Sequence, residues 1–210
     1  HDIRHFADYH DMLHDPSITV IDICTPTDTH ARIACECMEA GKHVIVEYPL
    51  CMNAAELRKM TRTSRKTGRI CAAAYYSRFQ SQYSHVFNTA KSGTIGRLTN
   101  VFISRRSSAM FSSGDIINDL VSQDIDWMVN LLGMPDSFSC VNTGQDAVSL
   151  QFRYPGAIAV LDGATNMHED FPFTTRHVVA GEKGCITLDW RFTDHPEYRM
   201  TISTPEGTRQ

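Results

Sequence analysis

The sequence predicts an α/β protein: a parallel, doubly wound sheet first, then an α+β domain with a largely antiparallel sheet. Three observations predict it. Strand and helix patterns alternate up to about Tyr76, as parallel strands with crossover helices require. After Gly133-Met134-Pro135 the pattern is strands only, separated by turn signals, which suits antiparallel pairing. Within the first region, Val20 to Pro49, VIDICTPTDTHARIACECMEAGKHVIVEYP, holds one βαβ unit with a polar cluster at each strand end.

The elements follow in order. A short helix over about Phe6 to His14 is stopped by Asp15-Pro16. A buried strand runs from Ile18 to Cys24. The next helix spans about Thr29 to Ala40, with Gly41 past its end. A second buried strand covers His43 to Glu47. Asn53 with Glu56 three residues on marks a helix start, and Gly68 ends that helix before a strand over Arg69 to Ala74. The character changes near Tyr76, which divides the chain into residues 1–76 and 77–210. A helix over Gln82 to Ser92, a strand over Leu98 to Ser104 and an amphipathic helix over Ile116 to Leu132 come next. The closing strands are Ser137–Asn142, Ala147–Tyr154, Ala157–Gly163, Thr175–Ala180, Cys185–Trp190 and Tyr198–Ser203.

Composition narrows the function classes. With 210 residues, 42% hydrophobic and 21% charged, the chain is long enough for one or two domains with a sizeable core. A net charge of −4 argues against a nucleic-acid-binding face. No apolar run is long enough to span a bilayer and none resembles a secretion signal. The seven cysteines are odd in number and form no CxxC, so they are expected to be reduced core thiols of a cytoplasmic protein. Cys35 and Cys37, two apart on a helix, diverge. His10-Asp11-Met12-Leu13-His14 imitates a helical zinc pair, but Pro16 breaks the helix and no third ligand or glutamate base accompanies it; no metal is expected.

Ligands in parallel sheets sit beyond the carboxyl ends of the strands. Thr25-Pro26 and Glu47-Tyr48-Pro49 fall at those ends, which points to a small-molecule site. His30 opens the intervening helix and either lines that site or packs. Arg78 after the Tyr75-Tyr76-Ser77 strand end, and Arg105 and Arg106, either meet a ligand oxygen or pair with an acid.

Five blocks carry a resemblance: DYHDMLHDPSITVIDICTPTDTH, EAGKHVIVEYPL, AAAYYSRF, SGTIGRL and GDIINDLVSQDIDWMVNLLG, in that order over about Phe6 to Gly133. In them the sequence resembles the Gfo/Idh/MocA oxidoreductases, which act on sugars and cyclitols with NAD or NADP. The resemblance implies a partial Rossmann-type domain, a substrate domain whose sheet face forms a homo-oligomer, and hydride transfer to or from a small sugar-like substrate. It implies that Thr25, Pro26, His30, Glu47 and Pro49 line the cofactor, that Tyr48, Asp119 and Gln123 are catalytic, and that Arg78 and Arg106 bind substrate.

Three departures accompany it. No GxGxxG turn occurs in these residues. Roughly two βα units, at ~30 residues each, are expected ahead of the first strand, and the end also reads as early. The family's Glu-Lys-Pro is Glu47-Tyr48-Pro49 here; a phenol, with a reference pKa of about 10, keeps a donor for a ketone and loses the fixed cation. The family's D-x-G-x-H reads Asp119-Leu120-Val121-Ser122-Gln123. Asp119, Gln123 and Asp126 are expected on one helix face, but an amide exchanges no proton, and acid–base catalysis is worth about 10²–10⁴-fold in rate. The alternative is therefore a weak or inactive relative serving as a ligand sensor or dimeric scaffold.

Overall fold

The computed structural model of the chain describes residues 3–109, 115–195 and 197–210. It divides into two compact units, His1–Tyr75 and Tyr76–Gln210. Gly114 of the last matching block lies outside the described residues.

The first unit opens with α1 (Tyr9–His14), whose N-cap Asp8 accepts from the His10 amide. Then come β1 (Val20–Ile23), α2 (Thr27–Glu39), β2 (His43–Val46), α3 (Ala54–Thr67) and β3 (Cys71–Ala73). The three strands form a parallel sheet in the order β1-β2-β3. α2 starts two residues before the sequence places it. Pro26 at φ −57° sets the entry, and both the Thr29 amide and hydroxyl donate to the Pro26 carbonyl. α3 begins as expected: the Asn53 side chain accepts from the Ala55 and Glu56 amides, while Glu56 accepts from the Met52 amide.

The sequence predicts buried strands here, and the structure corrects that. Ile21, Ile23, Val44 and Val46 pack with Ala34, Cys37 and Met38 of α2 and Met60 of α3. Each fully buried side chain contributes on the order of 1.5–3 kcal/mol. Val20, Asp22 and Ile45 point the other way and are exposed. Successive strand residues face opposite sides, and α2 and α3 both pack into this single core. The same alternation exposes Cys24, and Cys140 is exposed on the edge strand of the second unit; only Cys35 and Cys37 are buried, so the expectation of seven core thiols is corrected too.

The second unit begins with a 3₁₀ turn (Tyr76–Arg78) and α4 (Ser81–Lys91), followed by β4 (Leu98–Ser108) and α5 (Ser122–Leu132). Seven strands complete it: β5 (Ser137–Asn142), β6 (Ala147–Tyr154), β7 (Ala157–Met167), β8 (Phe173–Gly181), β9 (Gly184–Phe192), β10 (Glu197–Thr204) and β11 (Gly207–Arg209). The eight strands run β11-β10-β9-β8-β4-β7-β6-β5. β4 and β7 are parallel and every other pair is antiparallel. One sheet face packs against α4 and α5 through Tyr83, Val86, Trp127, Met128 and Leu131, with Val101, Ile103, Leu161, Val179 and Leu188 below them.

The helix predicted from Ile116 is not continuous. Ile117–Val121 form a π turn before α5 begins. Such a turn adds a residue and re-aims the side chains around it. Gly163 of β7 makes room: a Cβ there would lie 2.5 Å from Val121 Cγ1 and 3.5 Å from Leu120 Cδ2. Asp119 lies within the π turn, so the regular i, i+4 relation expected between Asp119 and Gln123 is interrupted.

Candidate functional site

In the first unit the carboxyl ends of β1 and β2 lie side by side, because the strands are parallel neighbours. Thr25 and Pro26 follow one end and are exposed; Glu47 and Tyr48 follow the other and are half-buried. His30, on the first turns of α2 and 1% exposed, joins the two turns. Its Nε2 is 2.7 Å from the Thr25 carbonyl and its Nδ1 is 3.0 Å from the Pro49 carbonyl. Both partners only accept. Of the two roles the sequence leaves open for His30, packing is the one seen. The ring stands behind the turns and braces them, because its nitrogens face backbone carbonyls.

Thr29 gives its hydroxyl proton to the Pro26 carbonyl, so in its 2.7 Å contact with Thr25 the Thr25 hydroxyl donates. The Thr25 oxygen keeps lone pairs to accept with. The Glu47 amide donates to the Ile23 carbonyl. The Tyr48–Pro49 peptide bond is cis, Pro49 is buried, and the Tyr48 ring lies 6.4 Å from that of Tyr75. Asp22 and Cys24, which the sequence reading passed over, stand beside Glu47: one donor atom from each of the three lies within 4.8 Å of the others. Alternation along β1 was the available signal. The Cys24 thiol is held up, first by desolvation and then by the charges of Asp22 and Glu47, so it stays a thiol near neutral pH.

In the second unit, residues 77–78 clasp α5. Ser77 donates from both its amide (3.3 Å) and its hydroxyl (2.8 Å) to Gln123 Oε1. Gln123 is 1% exposed, and its Nε2 has no hydrogen-bond partner among the described residues. Arg78 grips Asp126 through Nε (2.6 Å) and Nη2 (2.7 Å). Of the two roles the sequence leaves open for Arg78, pairing with an acid is the one seen. Gln123 and Asp126 thus both face this turn, whereas Asp119 sits half-buried in the π turn.

Arg105 and Arg106 diverge by strand alternation. Arg105 is 2% exposed and lies on the α5 side, with its Nε and Nη2 on the two carboxylate oxygens of Asp124. Arg106 lies on the opposite sheet face, where its Nη1 donates to the Arg105 and Asp162 carbonyls. Arg106, expected to bind substrate, thus has Nη1 engaged by two backbone carbonyls on the sheet face away from α5. Asp124 also faces His177, 3.6 Å from Nε2. Burial, opposed by Asp124 and aided by Arg105, holds the His177 imidazole down to about 4. Burial pulls against the Arg105 charge, but the Asp124 carboxylate outweighs it and holds that guanidinium protonated.

Among known proteins, residues 1–75 match the oxidoreductase family with an NAD-binding Rossmann fold. The chain is 28% identical over 204 residues to the myo-inositol 2-dehydrogenase of Thermotoga maritima, covering 88% of this chain and 60% of that protein. It is also 28% identical over 204 residues to the trans-1,2-dihydrobenzene-1,2-diol dehydrogenase of Bos taurus, covering 90% and 60%. An oxidoreductase from Agrobacterium radiobacter, solved with NAD+, L-tartaric acid and magnesium, aligns at a TM-score of 0.81 and 21% identity, over 96% of this chain and 63% of that one. That likeness concerns the fold. The chain spans about 60% of the length of the curated relatives it matches.

Proposed function

The chain belongs to the Gfo/Idh/MocA oxidoreductases through its residues 1–75, and from that we propose that it is an NAD- or NADP-dependent oxidoreductase acting on a CH–OH group of a sugar, cyclitol or nucleotide sugar. The observation that carries the reading is the pair of strand-end turns at Thr25-Pro26 and Glu47-Tyr48-Pro49, set side by side by parallel pairing and braced by His30.

The residues present fit the cofactor's nicotinamide side. Thr25 offers an accepting oxygen, Pro26 an exposed apolar edge, and Glu47 a carboxylate, all at carboxyl strand ends where ligands of such sheets sit. No GxGxxG turn for the pyrophosphate occurs among these 210 residues. When bound, the nicotinamide supplies the hydride or takes it up. The chain's own work is polar. In the first unit Tyr48 supplies an exchangeable proton for the reacting hydroxyl; in the second, Asp119 and Gln123 offer polar groups to substrate, and Gln123 donates without exchanging a proton. A homo-oligomer through the outer face of the eight-stranded sheet belongs to the same reading. That face points away from α4 and α5 and carries Phe102, Val160, Val178 and Ile158 beside Arg176, Asp189 and Arg199.

The test is turnover of NAD+ or NADP+ against a panel of cyclitols and sugars, followed by nicotinamide absorbance. Turnover is expected, and Tyr48→Phe should lower it by about 10²–10⁴-fold while cofactor affinity changes little. Ligand binding without any turnover would overturn the enzyme reading in favour of a sensor.

A further inference from the structure

We infer that Ser77 is a positioning residue: it fixes the Gln123 amide so that the NH2 group, not the carbonyl, faces a ligand, and the site thereby prefers a ketone oxygen to the matching alcohol. The inference rests on the oxidoreductase reading and deepens it.

The orientation is set by chemistry. The Ser77 backbone N–H can only donate, and the hydroxyl donates to the same atom; both lie on one end of the Gln123 amide, at 3.3 and 2.8 Å. That end must be the oxygen, because a flipped amide would set N–H against N–H. Oε1 is then occupied twice, inside a segment where Ser77 and Gln123 are both buried. Nε2 keeps two N–H groups and no partner among the described residues. Buried donors without acceptors are strongly disfavoured, so this one is complementary to an oxygen that only accepts. A ketone or carboxylate oxygen meets that requirement. An alcohol can accept from Nε2, but its own proton then needs an acceptor, and the Gln123 carbonyl is already taken by Ser77.

A pair of probes reads this directly. Affinities for 2-keto-myo-inositol and myo-inositol are compared in the presence of ADP-ribose, which carries no nicotinamide and so permits no turnover. The ketone should bind about tenfold more tightly, the scale of one unsatisfied buried hydrogen bond. Ser77→Ala should bring the two affinities close to parity by freeing the amide to rotate, and Ser77→Thr should keep the preference. Gln123→Glu, which can only accept toward the ligand, should reverse it. Ketone binding should also move the Gln123 side-chain amide resonances. Equal affinities in the unaltered protein, binding of neither probe, or equal weakening of both by Ser77→Ala would overturn the inference. Failure to bind NADH and NADPH as well would bring down the oxidoreductase reading; cofactor binding without a keto preference would overturn the Ser77 inference alone.

Discussion

Arg105 and Asp124 form a two-pronged ion pair inside the second unit, with Nε and Nη2 at 2.5 and 2.6 Å from the two carboxylate oxygens and both side chains almost wholly buried. The pair ties β4 to α5, one residue from Gln123, so it sets where the first turn of that helix lies. The Arg105 guanidinium also stands 5.2 Å from the Phe173 ring.

Removing one member strands the other. Asp124→Ala, or Arg105→Ala, should destabilise the protein by about 3–5 kcal/mol, whereas replacing both with apolar residues of similar size should cost much less. Denaturant unfolding of the two single variants and the double variant gives the coupling. Additive effects would contradict the pairing described.

The stability of the second unit should fall in acid through His177. Its folded value of about 4 lies below the unfolded value of about 6.5, so the unfolded chain binds a proton that the folded one refuses. The contribution is complete above about pH 6.5 and disappears as pH falls toward 4, at up to about 1.4 kcal/mol per pH unit and on the order of 3 kcal/mol in total. Asp124 on α5, Arg105 on β4 and the Tyr83 ring on α4 all face it. His177→Phe should flatten that limb of the pH–stability curve; an unchanged slope would show that His177 is not its source.

Breaking the brace should loosen both turns at once. His30→Ala leaves the Thr25 and Pro49 carbonyls without the ring, at about 1–3 kcal/mol. The expected result is a several-fold rise in KM for the cofactor with a smaller change in kcat. A change in kcat alone would mean that the ring acts on the reaction and does not brace the turns.

Gly163→Ala should disturb the π turn. A methyl group 2.5 Å from Val121 Cγ1 cannot be accommodated without movement, and overpacking of this kind typically costs about 1–3 kcal/mol. Proton–deuterium exchange of the 117–121 amides should accelerate in this variant. Exchange at the original rate would mean that Val121 yields without the turn moving.

The βαβ order and the strand ends were legible in the sequence because alternation of periods and the Gly and Pro punctuation are local signals. The caps at Asn53 and Gly68 fall where the sequence puts them. The π turn was not legible, since it depends on space left by Gly163, some forty residues further along the chain and on another element. Nor was the three-residue β11, which is too short to show a period. The strand-end positions of Thr25, Glu47 and Tyr48 were legible for the same reason. The surroundings of His30 and Arg106 were not legible, because burial and sheet face are set by packing. The Ser77 contact gave no sign in sequence, as it depends on meeting Gln123 from a separate turn.

On the proposed reading, the turns after β1 and β2 form the nicotinamide side of a dinucleotide site. Titration of the isotope-labelled full-length protein with NADH and NADPH, read residue by residue through its amide resonances, tests it most directly. Saturable shifts at Thr25, Glu47 and Tyr48 are expected with at least one of the two; no binding of either at millimolar concentration, or binding that leaves all three residues unmoved, would rule such a site out.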